Sequence, residues 1–170
     1  MYLQKQTGHM KKMTGKVEDM TGQMKWMTQD VIEDLVMAAG RCPLPWVSHE
    51  RGCYLLVHQK KTWSEAKEYC RGKGRHLASV HTRATSDFFY RLASGHDTWV
   101  GGYKEDRWWK WDDGSTYNVW EDGKGGSKYA RWGAGEPDNL SGDEDCMEIW
   151  SPGGLNDQIC YCMRPFICQL

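Results

Sequence analysis

The residues best suited to chemistry lie late in the chain. Glu136-Pro137-Asp138-Asn139, Asp143-Glu144-Asp145 and Asn156-Asp157 gather carboxylates and amides in the stretch leading up to Cys160. A hard divalent cation such as calcium takes six to eight oxygen ligands at about 2.4 Å from carboxylates, amide carbonyls and water, and irregular loops wrap it more readily than helices do. A second reading stands beside it on residue type alone: a solvated acidic loop in which Asn and Asp serve turns, since no EF-hand spacing is present. An enzymatic use would recruit Glu136 and Asp138 as acid and base, or Cys162 with one of the six histidines. Hydrolytic carboxylates need environments that push their pKa values apart, whereas a bound cation would hold both ionised. His58, His76 and His81 have no spacing that ties them to Cys162. The expectation is a binding protein and not an enzyme.

Those loops need a scaffold, and the sequence from Arg41 onward reads as one. Composition shifts there to Trp, Gly and Cys, with Pro43 and Pro45 marking the boundary. Thr62-Trp63-Ser64-Glu65 has the pattern of a capping box, so a helix should open there, turn Trp63, Ala66 and Cys70 inward and stop near Gly72 or Gly74. A short apolar stretch, Leu77 to Val80, precedes a second predicted helix around Arg83 to Ala93, whose Phe88, Phe89 and Leu92 form its apolar face. Beyond it strands and loops are expected, with turn chemistry at Asp112-Asp113-Gly114-Ser115 and in the Gly- and Lys-rich run from Glu121 to Lys128.

All seven cysteines lie at or beyond Cys42, so their crowding belongs to this one module. Zinc sites favour wider ligand spacing than the single residue between Cys160 and Cys162, which points to disulfides, an oxidising compartment and one odd thiol. Ten Trp and eight Tyr against three Phe suit a surface that packs while keeping a polar edge wet. The formal net charge of -1 lacks the basic excess that a phosphate backbone selects for, so nucleic acid is not an expected partner. The start, MYLQKQTGHMKK, carries no apolar stretch of the kind a signal peptide needs, so further chain is expected upstream of it.

Residues before Arg41 repeat every seven: KKMTGKV, EDMTGQM, KWMTQDV. Leu3, Met10, Val17, Met24 and Val31 share one heptad position, and Met13, Met20 and Met27 add the second position of a coiled-coil stripe. Against this, Gly8, Gly15 and Gly22 recur on the outer face at about 1 kcal/mol each relative to Ala, and a flexible stalk is the alternative. A coiled-coil neck over 1–40, making a homo-oligomer through residues 3–35, is the expectation.

Within 41–170 the sequence resembles a C-type lectin-like domain. The resemblance is carried by Gly52-Cys53-Tyr54, Trp63-Ser64-Glu65-Ala66 with Cys70, Leu77-Ala78-Ser79-Val80, Trp99-Val100-Gly101-Gly102, Trp132 before Gly135-Glu136-Pro137-Asp138, Glu144-Asp145-Cys146, Asn156-Asp157, and Cys160 with Phe166-Ile167-Cys168. It implies an α+β fold of two helices, antiparallel strands and a long calcium-binding loop region. The bridges it implies are Cys42–Cys53, Cys70–Cys168 and Cys146–Cys160, with Cys162 odd. It also implies that Glu136, Asp138, Glu144, Asn156 and Asp157 hold calcium, and that Glu136, Asp138, Glu144 and Asn156 bind carbohydrate at the same place. Pro137 resembles the family's cis-proline. Terminal mannose-, fucose- or galactose-type sugars on glycoproteins would be the partners, and the setting extracellular, secreted or tethered. The rival is a member of the fold that binds protein without sugar.

Several departures bear on that reading. Mannose-type sites resemble Glu-Pro-Asn and galactose-type sites Gln-Pro-Asp, whereas Glu136-Pro137-Asp138 offers two acceptors and no amide donor. Asn156 is then the evident donor. Leu155 stands where the family commonly has Trp. A long insertion between Thr116 and Arg131 brings Trp120, Lys128 and Tyr129 as candidate pocket residues. Asp145, Asn139 and Glu105 are the candidates for a secondary calcium site, and Asn139-Leu140-Ser141 is a glycosylation sequon expected to be unoccupied if sugar binds beside it.

Overall fold

The computed structural model describes residues 31–32, 35–36, 39–40, 42–115, 132–150 and 154–170. The chain divides into two compact units, Met1–Pro43 and Leu44–Leu170. In the first, residues 31–32 and 35–36 are helical, with Val31, Ile32 and Leu35 exposed. The heptad repeat through residue 30 lies outside the described residues, as does the Glu121–Lys128 run.

The second unit is a mixed sheet flanked by two helices. Its elements are β1 (Val47–His49), β2 (Gly52–Lys61), α1 (Trp63–Arg71), β3 (His76–Leu77), α2 (Arg83–Leu92), β4 (Thr98–Glu105), β5 (Trp108–Trp111), β6 (Cys146–Ile149), β7 (Leu155–Gln158) and β8 (Arg164–Gln169). The strands lie in the order β1-β2-β8-β4-β6-β7, with β3 also on β8 and β5 on β4. Among the described strands every pairing is antiparallel except one. The last strand, β8, returns between β2 and β4, runs against β2 and so runs with β4, meeting it where Trp99 faces Phe166.

The predicted helices form for the local reasons read from the sequence. Thr62 Oγ1 accepts the Glu65 N–H at 3.3 Å, and Glu65 Oε2 accepts the Thr62 N–H at 3.0 Å, so both halves of the capping box are present. α1 buries Trp63, Ala66 and Cys70 and ends at Gly72. Thr82 caps α2 by accepting the Thr85 N–H at 3.0 Å, Phe89 is buried, and Phe88 and Leu92 pack partly against the same core. One core gathers under α1 around Trp63, Leu77, Trp99 and Phe166, and another around Phe89, Val100, Ile149 and Ile167.

Covalent staples hold this loop-rich unit. Cys70–Cys168 ties α1 to β8, and Cys146–Cys160 joins the start of β6 to the chain just past β7. Cys42 and Cys53 are each disulfide-bonded as well, and Cys162 is a half-buried free thiol. The turn at residues 112–115 forms as expected, with Gly114 at φ +76°. Asp112 does more than turn the chain. Its carboxylate is wholly inaccessible, accepts the Leu77 N–H at 3.2 Å and lies 3.1 Å from Lys67 and 3.4 Å from Arg71, so it pins β3 to α1.

Candidate functional site

The acidic loop is fastened to the β6–β7 hairpin before it reaches its first carboxylate. Trp132 pairs in parallel with Leu155, and the Gly133 N–H donates to the Leu155 carbonyl at 2.8 Å. A Cβ on Gly133 would sit 2.8 Å from the Trp150 ring, so the close approach requires glycine. Leu155, where the family commonly has Trp, is fully buried beneath this contact. The chain then turns through Gly135 at φ +99° and enters a cis Glu136–Pro137 peptide, as the resemblance implied.

Asp157, delivered from β7 and almost fully buried, organises the loop from below. Its Oδ1 accepts the Asp138 N–H at 3.1 Å and its Oδ2 the Asn139 N–H at 3.0 Å. The Leu140 N–H reaches both Asp138 Oδ1 at 3.0 Å and Glu144 Oε2 at 2.8 Å. Asn139 Oδ1 accepts the Glu144 N–H at 3.0 Å, closing the loop on itself. Backbone amides therefore aim three of the predicted carboxylates before any ligand arrives.

Glu136, Asp138 and Asp157 place carboxylate oxygens within 4.8 Å of one another. Such crowding is unfavourable without a counter-charge. Burial, with the Asp138 and Asp157 charges beside it, pushes the Glu136 carboxyl up to about 7. Glu144 is raised as well, by burial first and by Asp157 and Asp138 after it, with the Leu140 N–H acting the other way. Glu136 Oε2 is buried with no hydrogen-bond partner among the described residues. A hard-oxygen donor set, mutual repulsion and an orphaned acceptor are together what a calcium ion would resolve, so the residues fit that metal.

Asn156 is placed differently. While Asp157 serves the loop, Asn156 Nδ2 donates to Glu148 Oε1 at 3.0 Å. Glu148 is 1% exposed and is held on its other oxygen by Arg164 Nε at 2.8 Å. Burial raises its carboxyl despite the Arg164 charge and hydrogen bond and the Asn156 hydrogen bond. Neither Glu148 nor Arg164 figured among the sequence-predicted residues. The available signal was a glutamate inside the apolar run Cys146-Met147-Glu148-Ile149, since charged residues are almost never fully buried unpaired.

The candidates for a secondary calcium site are otherwise engaged. Asp145 faces Lys104 at 3.6 Å, Glu105 makes a close ion pair with Lys110, and Asn139 braces Glu144. Asn139 of the sequon is nonetheless exposed. Trp120, Lys128 and Tyr129 lie outside the described residues.

Residues 59–170 match the family described as Lectin C-type domain. The chain is 36% identical over 140 residues to the C-type lectin lectoxin-Enh4 of Pseudoferania polylepis, covering 75% of this chain and 82% of that one. It is 32% identical over 133 residues to human asialoglycoprotein receptor 2, a match that covers 75% of this chain and only 40% of the receptor. Among solved structures, the C-type lectin domain of murine dendritic cell inhibitory receptor 2 in complex with N-glycan superposes with a TM-score of 0.66 at 28% identity, over 76% of this chain and 98% of that one. Fold, staples and sequence agree over the same unit, and the chain belongs to the C-type lectin domain family.

Proposed function

We propose that this chain is a calcium-dependent lectin, with its site built from Glu136, Asp138, Glu144, Asn156 and Asp157. The family is a non-enzymatic carbohydrate-binding fold whose domains generally bind calcium. The single observation that carries the reading is the convergence of Glu136, Asp138 and Asp157 around the unpartnered Glu136 Oε2. Calcium held there would supply a hard, charged centre at which adjacent sugar hydroxyls take the place of water. Glu136 and Asp138 would accept hydrogen bonds from those hydroxyls. Asn156 has one amide hydrogen left for the sugar after Glu148 takes the other, and Glu148 also fixes which end of the amide is nitrogen, leaving Oδ1 for the cation.

The partners proposed are terminal mannose-, fucose- or galactose-type sugars of glycoproteins outside the cell. Disulfides favour that compartment, and among the described residues no helix is long and apolar enough to cross a membrane. Residues 1–40 are proposed as the neck and 41–170 as the recognition domain, with oligomers forming through residues 3–35. Weak single sites would gain from such clustering. A second reading has an observation of its own. Two acceptors at Glu136 and Asp138, with Asn156 half committed to Glu148, leave few donors for a sugar, which favours a protein ligand on the same scaffold. A glycan array probed with calcium and again with chelator separates the two. Calcium-dependent glycan signals support the lectin, and their absence from a calcium-loaded protein supports the protein-binding form.

A further inference from the structure

Of the chain's three asparagines, only Asn139 has a Ser or Thr two residues on, and the Leu140 between them leaves the sequon uninterrupted by proline. Crowding beside Asp138 weighs against a glycan when sugar is bound. Whether Asn139 can carry one depends instead on where its amide nitrogen points.

The loop fixes that direction. Asn139 stands at φ +48°, in the left-handed region that asparagine tolerates, and its carbonyl accepts the Gly142 N–H at 2.8 Å, closing a turn over residues 139–142. Its own N–H is held by Asp157 Oδ2 at 3.0 Å. The side-chain amide meets the Glu144 N–H at 3.0 Å, and a backbone donor needs an acceptor, so the atom turned into the loop is Oδ1. Nδ2 occupies the other branch of the amide, and among the described residues it donates to nothing. Asn139, Leu140 and Ser141 are exposed together. Replacing one Nδ2 hydrogen with a sugar therefore leaves Oδ1, the Asn139 N–H and the Asn139 carbonyl in their bonds, and the loop that aims the carboxylates need not rearrange. The disulfides favour a chain that passes through the oxidising compartment of the secretory route.

We propose that Asn139 is a site of N-linked glycosylation and that the attached glycan screens the carboxylate loop, so that modified and bare forms differ in access for sugars while both keep the oxygen donors for a cation. In the transfer, Asn139 Nδ2 bonds to the anomeric carbon of an oligosaccharide carried on a lipid pyrophosphate. The carbon–oxygen bond to the pyrophosphate breaks, the lipid pyrophosphate leaves with its electron pair, and the displaced Nδ2 proton passes to water; nothing is oxidised or reduced. The screening rests on the lectin reading of the site and follows from proximity. Asp138 is exposed, its Cα is about 3.8 Å from that of Asn139, and Asp157 holds the N–H groups of both. A glycan is bulky. If it leaves the site open about a tenth of the time, the apparent affinity for outside glycans falls about tenfold.

The test sends the full chain, behind an added leader, through the secretory pathway of cultured animal cells as the parent, Ser141→Thr and Ser141→Ala. Mass spectrometry is expected to find a glycan on Asn139, removable by peptide N-glycosidase, in the parent and in Ser141→Thr, and none in Ser141→Ala. Calcium-dependent binding to a glycan array is then compared among the parent, the parent trimmed by endoglycosidase to a single N-acetylglucosamine, and Ser141→Ala. The shift of melting temperature with calcium is recorded for each, as a readout of the metal site alone. The trimmed parent and Ser141→Ala are expected to bind about tenfold more tightly than the parent, with matching melting shifts. A bare Asn139 in the secreted parent overturns the proposal outright. A glycan whose trimming and removal both leave the affinity unchanged overturns the screening. Melting shifts with no array binding in any form count against the lectin reading and overturn the screening with it, while a glycan found on Asn139 still supports the modification.

Discussion

Arg164→Gln and Glu148→Gln remove opposite ends of one contact, and their costs should be unequal. The Glu148 side chain is 1% exposed and that of Arg164 is 26% exposed, so only the arginine has water within reach. Removing one partner of a buried pair costs roughly 3–5 kcal/mol, because the other charge is left buried. Asn156 would still donate to Glu148 Oε1, which places Arg164→Gln near the lower end, at about 3 kcal/mol at neutral pH. Glu148→Gln takes away the charge that burial penalises, keeps an oxygen for Asn156, and leaves Arg164 with Asp97 and solvent, at about 1 kcal/mol. A carboxyl raised in the folded state binds its proton more tightly there than when unfolded. Its contribution is therefore complete below the unfolded value of 4.5 and is lost as pH rises through the higher folded value. Without Arg164 that folded value climbs further, so the Arg164→Gln deficit should be largest at neutral pH and shrink toward about pH 5, while the Glu148→Gln variant, which lacks the titrating carboxyl, should show the opposite trend, with its deficit smallest at neutral pH. The double variant should resemble Glu148→Gln alone, well short of the roughly 4 kcal/mol that simple addition gives. Urea unfolding followed by tryptophan fluorescence, with disulfides intact, measures all three. Equal single-variant costs, additivity, or a pH-independent Arg164→Gln deficit would refute the reasoning.

Calcium at millimolar concentration should raise the melting temperature of the chain, and Glu144→Ala with Asn156→Ala should diminish the response; no shift in the parent rules out the metal site. Asp138→Asn should increase binding to mannose, fucose or N-acetylglucosamine at saturating calcium, and Glu136→Gln should move preference toward galactose, each by about tenfold at most, since a hydrogen bond to a neutral hydroxyl is worth about 0.5–1.5 kcal/mol. Glycan-array signals that stay unchanged in both variants would contradict the donor–acceptor account. Light scattering of the full chain under reducing conditions, where Cys162 cannot link chains, should show an oligomer, and a monomer at tens of micromolar (~10–50 µM) would contradict the neck.

What the sequence determined by itself was whatever depends on near neighbours or on residue type. The capping box at Thr62 and Glu65 spans three residues, so α1 could be read with its boundaries and its buried Trp63, Ala66 and Cys70. The spacing of Phe88, Phe89 and Leu92 disclosed α2 in the same way. Cys70–Cys168 and Cys146–Cys160 were legible through the family resemblance, and the acidic loop through its oxygen-rich composition. Tertiary structure decided how those acids meet. Asp157 reaches the Asp138 and Asn139 amides because the Trp132–Leu155 bridge folds the loop onto β7, and no local pattern announces that contact. Burial is equally non-local. Asp112 read as a turn residue, yet its carboxylate is enclosed and holds β3 to α1, and Glu148 became the hinge between Asn156 and Arg164 only once β6, β7 and β8 lay side by side. Side-chain chemistry is written in the residue, but desolvation, register and the charge of a neighbour are properties of the packed chain.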